Sequence, residues 1–172
     1  MPANPVIKKD DVKFEDRTHW LNKSVSFKQA RLANQAGMSK SAVNLNVLGP
    51  DMESTEMHAH SSAEEWLYII RGSGTLFLIP PGPSPLSTKD DPDAASKIQE
   101  CTLEPGDFVG LPVPQQWAHT LKAGKGGIEY LVGANCYDAG VCQYPLKNKT
   151  LIIANVQRVT CDTDAFQGGC CK

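Results

Sequence analysis

Apolar residues along the chain fall mainly in short runs, alternating or continuous, bounded by Gly, Pro, Asn and Asp. This is the pattern of a β-sandwich or barrel. The runs are "AVNLNVLG" (42–49), "EWLYIIRG" (65–72), "GTLFLI" (74–79), "KIQECTL" (97–103), "DFVGL" (107–111), "AHTLKA" (118–123), "IEYLVGANC" (128–136) and "KTLIIANV" (149–156). So many strands in a small chain predict an all-β fold with a closed or nearly closed sheet, because closure removes the exposed edges that invite aggregation. Helical spacing is confined to a stretch within Trp20–Lys28, which predicts one short helix.

Two segments break the strand rhythm. Residues 80–96, "PPGPSPLSTKDDPDAAS", hold five of the twelve prolines and almost no large apolar side chain, which predicts a solvent-exposed loop, either a lid or a flexible insertion. From Thr160 the sequence "TCDTDAFQGGCCK" has no periodicity and reads as a flexible tail carrying Cys161, Cys170 and Cys171. The expected organisation is an irregular N-terminal arm over 1–29, one barrel domain over 30–159 and a Cys-rich tail over 160–172.

Composition narrows the function classes. A chain of 172 residues suits one domain, and 41% hydrophobic residues, 21% charged residues and a net charge of −2 describe an ordinary globular protein with no basic surplus for nucleic acid. No apolar run resembles a signal-peptide core or a membrane span, so the expected location is cytoplasmic, with no membrane partner and with the six cysteines as reduced thiols.

The chemistry-bearing stretch is "MHAHSSAEEW", residues 57–66. In a strand His58 and His60 point to the same side, about 6 to 7 Å apart along the backbone, and can share one ion. A turn at 61–64 brings the next strand back with Glu65, Leu67 and Ile69 on one face and Trp66, Tyr68 and Ile70 on the other. Glu65 then faces the histidines and Glu64 points away, although a one-residue slip would exchange them. A third imidazole can come only from His19, in "DRTHW", or from His119, on a strand placed by the bend at Pro112 and Pro114.

The spacing from Gly49 through His58, His60 and Glu65 to Gly72 resembles the first motif of the cupin superfamily, and "PGDFVGLPVPQQWAHTL" is similar to the second. Here Trp117 stands where the second motif usually has its histidine, and His119 follows two residues later. "VNLNVLGP" and "YLVGANCYDAGVCQYP" are similar to small single-domain cupins. The resemblance implies a single jelly-roll β-barrel in which His58, His60, Glu65 and His119 hold one divalent transition metal.

Such a donor set suits Fe, Mn, Co, Ni or Zn and leaves two positions of an octahedral shell open for a small oxygen-rich ligand or substrate. Two classes of function follow. One is a metal-dependent enzyme of oxygenase or isomerase/decarboxylase type; the other is a binding or storage cupin with a structural metal. Tyr68, Tyr130, Glu64 and Glu129 are the candidate general bases, and Arg71 is a candidate clamp for a substrate carboxylate. Leu67, Ile69, Phe77, Phe108 and Trp117 are expected to line or plug the barrel. An apolar outer face of Trp66, Tyr68 and Ile70 points to a homodimer.

Overall fold

The computed structural model describes residues 5–81, 93–113, 117–136, 138–154 and 157–163. The strands are β1 (Glu15–Thr18), β2 (Ser26–Arg31), β3 (Ser41–Leu48), β4 (Ala59–His60), β5 (Glu65–Ile79), β6 (Gln99–Leu103), β7 (Phe108–Leu111), β8 (Ala118–Asn135), β9 (Ala139–Tyr144), β10 (Lys149–Ala154) and β11 (Gln157–Asp162). They form an all-β jelly-roll of two antiparallel sheets. The larger runs β1-β2-β3-β8-β5-β6, with β7 also paired to β5, and the smaller runs β11-β10-β9-β4.

The centre of the larger sheet is the pairing of β5 with β8, two long strands that the sequence breaks into four runs. The breaks are bulges. Either side of Gly72 the buried positions of β5 change from Leu67 and Ile69 to Gly74 and Leu76, with Ile79 buried at the strand's end, so the inward phase shifts by one residue where Gly72 takes φ 77°. Register shifts at Ile69/Arg71 and Gly72/Gly74 mark the same place, and the extra residue bends and twists the pair. Beneath this pair lies the main core, with Leu48, Ile69, Leu76 and Leu121 almost wholly enclosed.

The segment from Glu53 to His60 ties the sheets together. It bridges β8 at Glu53↔Lys122 and His58↔His119, then pairs β9 at Ala59↔Gln143 and His60↔Cys142. That crossing decides which side chains meet inside the barrel.

The sheets extend into both stretches that the sequence marks as irregular. β1 lies within the expected arm, β2 crosses its expected end at residue 29, and both continue the larger sheet through β3. β11 runs through the expected boundary at Thr160, places Cys161 opposite Thr150 and is followed by a buried Thr163 bonded to Thr150. β1 and β11 are polar strands at a sheet's outer end, where exposure to water removes the hydrophobic signature. The expected helix within 20–28 is replaced by a turn and the start of β2. Asn22 Oδ1 accepts from both the backbone N–H and the hydroxyl of Ser24, which closes a turn rather than a helix. Among the described residues the one α-helical turn is Leu32–Gln35. Most of the 80–96 loop, Pro114, Cys170 and Cys171 lie outside the described residues; Cys101, Cys136, Cys142 and Cys161 are free thiols.

Candidate metal centre and its cavity

Strand alternation and the crossing segment bring His58, His60, Glu65 and His119 into one cluster. Glu65 Oε2 lies 4.0 Å from His58 Nε2, 3.5 Å from His60 Nε2 and 3.2 Å from His119 Nε2. Glu64 is exposed on the other side, where its backbone N–H donates to Asn135 Oδ1.

Backbone carbonyls set the tautomers of two imidazoles. His58 Nδ1 donates to the Glu56 carbonyl oxygen at 2.9 Å, and His119 Nδ1 to that of Trp117 at 3.3 Å. A carbonyl can only accept, so the Nε2 lone pairs of both rings are left facing Glu65. Burial, reinforced by the neighbouring imidazoles, holds His58 well below the ordinary histidine value, and burial also lowers His60 despite the opposing pull of Glu65. Burial pushes the Glu65 carboxyl up, but the surrounding imidazoles outweigh it and hold the group below the usual carboxylate range. The cluster therefore sets an ionised carboxylate beside two aimed Nε2 lone pairs.

The cluster fits a cation on an observation independent of any resemblance. Glu65 Oε2 and His60 Nδ1 are buried with no hydrogen-bond partner, and an unpaired buried carboxylate costs several kcal/mol unless something positive compensates it. Among the described residues, two overlapping sets could hold an ion, His58 with Glu65 and His119, and His58 with His60 and Cys142. The second set is a surprise of the fold, since β9 places Cys142 opposite His60. Burial pushes the Cys142 thiol up to about 12, so it is protonated at neutral pH, and the thiolate is the form that ligates. The ionised Glu65 is the better donor.

Beside the cluster opens a cavity of about 340 Å³ whose inner end is formed by His58, Glu65 and His119. Its wall includes His19, Gln29, Asn46 and Tyr130, with Gln29 donating to Asn46 and Asn46 to the Tyr130 hydroxyl. Its lining also takes in Arg17 from β1 and Arg158 from β11. These two arginines carry no signal in the sequence, because each lies in a short polar strand without alternation.

Several expected roles do not survive the geometry. Arg71 is exposed and paired with Glu129 on the outside of the sheet, away from the cavity, so neither serves as clamp or base. Tyr68 is exposed on the outer face of β5. Phe108 is 65% exposed and stacks on Trp66 at 6.3 Å, because pairing opposite Tyr68 puts it on that same outer face. Leu67 lines the cavity, Ile69 is core, Phe77 packs with Met57 and Ile79, and Trp117 lies beside His60 and His119. His19 is outside the cluster but in the cavity wall, packed on Trp20 and Tyr144.

No protein-family profile matches the chain, and comparison with curated proteins finds no match. Solved structures do match. A protein from Acidithiobacillus ferrooxidans with the provisional name sugar phosphate isomerase is 25% identical over 95% of both chains, with a TM-score of 0.79. A sugar phosphate isomerase described as a cupin, from Silicibacter pomeroyi, is 18% identical over 93% of this chain and 94% of that one, with a TM-score of 0.72. A third, described as a predicted oxalate decarboxylase from Thermotoga maritima, is 15% identical over 77% of this chain and 99% of that one, with a TM-score of 0.55. With two sheets closing on a histidine-lined interior, and two of these neighbours matching along nearly its whole length, the chain has the fold of the cupin superfamily.

Proposed function

We propose that the protein is a metal-dependent isomerase of a small phosphorylated sugar, with His58, His60, Glu65 and His119 holding one divalent transition metal. The observation that carries this reading is the convergence of three imidazole Nε2 atoms on a buried, unpartnered carboxylate oxygen at the inner end of a polar cavity. The likeness to the Acidithiobacillus ferrooxidans protein over nearly the full chain supports the substrate class. A divalent ion here would polarise adjacent oxygens of a bound substrate.

The chain's own residues would bind and orient the sugar. Of the titratable wall groups beyond the cluster, Tyr130 is pushed up to about 12 by burial and keeps its proton, so it acts as a hydrogen-bonding group rather than a base. His19 Nδ1 accepts from the Leu21 backbone N–H, which leaves its proton on Nε2, and burial lowers its pKa and keeps the ring neutral. It therefore presents a neutral N–H donor to a substrate oxygen. The test is elemental analysis of protein purified without a metal-affinity tag, followed by NMR of aldose phosphates incubated with it in deuterated water. Near-stoichiometric metal and chelator-sensitive aldose–ketose exchange are expected; metal-free protein or the absence of exchange refutes the reading.

The outer face of β5 and β7 supports a homodimer. Tyr68, Ile70 and Phe108 are exposed there beside Trp66, a contiguous apolar patch of the kind that subunit contacts cover. Sedimentation velocity at micromolar concentration should show a dimer that Tyr68→Glu converts to monomer. A monomeric wild type would remove the assignment.

A further inference from the structure

We infer that Arg17 and Arg158 form an anion-binding mouth on the cavity, so that a small oxygen-rich anion enters with its phosphate or carboxylate on the arginines and its hydroxyl-bearing end toward His58, Glu65 and His119. The inference deepens the isomerase reading and rests on it for the direction in which the ligand lies.

The charge distribution of the lining is the first support. Its acidic and basic side chains, histidines apart, are Arg17, Arg158 and Glu65. Glu65 is enclosed by three imidazoles at the inner end, whereas both arginines are exposed. The cavity therefore runs from a positively charged mouth to a donor-rich interior. Among the described residues no lysine or aspartate lines it to alter that balance.

The freedom of the two guanidinium groups is the second support. Arg17 has one distant partner, Glu15 at 3.9 Å, with both side chains about half exposed, a pairing worth little in water. Arg158 has no ion pair among the described residues. By contrast Arg71, also exposed, is taken up by Glu129. The planar fork of an arginine matches the oxygens of a phosphate or carboxylate, which a lysine does not do as well.

Topology supplies the third. β1 and β11 are the outer strands of different sheets and lie at opposite ends of the sequence, yet both send an arginine to one cavity. The lining also carries neutral hydrogen-bonding groups, Thr18, Gln29, Asn44 and Asn46, suited to hydroxyls. A volume of about 340 Å³ is at the lower end of the range for small-molecule sites and suits a metabolite of a few carbons.

The test is isothermal titration calorimetry of the full-length protein with four- to six-carbon aldose phosphates, the aldonates of the same lengths and the free aldoses. At least one charged ligand is expected to bind about tenfold or more tightly than its free aldose. Arg17→Gln and Arg158→Gln should each weaken that binding about five- to tenfold, the double variant more, with unchanged metal content and circular dichroism. Tighter phosphate identifies a phosphate ester and tighter aldonate a carboxylate, and either upholds the mouth. Equal binding of charged and free sugars, no binding of any, or a double variant with wild-type affinity overturns it. Arginine-dependent binding by a protein that holds no metal would defeat the isomerase reading alone, whereas metal and turnover indifferent to both arginines would defeat only this inference.

Discussion

Alanine at His58, His60 or His119 is expected to strip the metal, with an affinity loss of more than about 100-fold for each, while His19→Ala leaves the metal in place. The reason is where each ring nitrogen points. The three cluster imidazoles lie within 4.0 Å of one carboxylate oxygen, and two of them are oriented by backbone carbonyls. His19 has its Nδ1 engaged by the Leu21 backbone and packs on Trp20 and Tyr144. Glu65→Gln should weaken metal binding by removing the negative charge, and Glu64→Gln should not, since Glu64 lies outside. An ion that binds only the folded state adds about 2.7 kcal/mol of stability at a free concentration 100 times its dissociation constant, so chelation should lower the melting temperature of the wild type and leave the alanine variants unmoved. Elemental analysis and thermal melts with and without chelator check all of this. Metal loss in His19→Ala with retention in His119→Ala would mean that the third imidazole has been misassigned.

The parts of this arrangement that could be read from sequence are those where one local rule dominates. Strand alternation alone puts Glu65, Leu67 and Ile69 on one face and Tyr68 and Ile70 on the other, and the structure has them so. The same rule fails for Phe108, whose face depends on which residue of β5 it is paired with, a fact of register that no run of five residues contains. It fails again across Gly72, where a bulge changes the inward phase and makes one strand look like two. Arg17, Arg158 and Cys142 escape for a third reason. Each owes its place to pairings between segments distant in sequence, β1 on β2, β11 on β10 and β9 on β4, and short polar or edge strands carry no periodicity from which such pairings could be inferred. His58, His60 and Glu65 are accessible because their spacing is local, and His119 only through the likeness of its motif; the cavity is not, because its wall is assembled from both ends of the chain.

Gly72→Ala should be strongly damaging, costing about 3 kcal/mol. Gly72 holds φ 77°, a left-handed conformation that costs an L-residue about 1 to 2 kcal/mol. A Cβ there would also fall onto the carbonyl oxygen of Gly127 and within 3.0 Å of the Ile128 Cα, and backbone across a strand pair cannot rotate aside as a side chain can. Relieving that overlap means parting β5 from β8 at the bulge, with an overpacking cost of about 1 to 3 kcal/mol and disturbance of the core at Leu76 and Ile128. Gly106 provides the control, since its φ is 98° but nothing lies within 4 Å of an added Cβ. Gly106→Ala carries the conformational cost without the collision. For a chain of this size the melting temperature should fall by about 6 to 12 °C in Gly72→Ala and by less, about 2 to 8 °C, in Gly106→Ala. Similar losses in the two variants would show that backbone conformation alone, and not the close approach of β5 to β8, is what requires glycine at position 72.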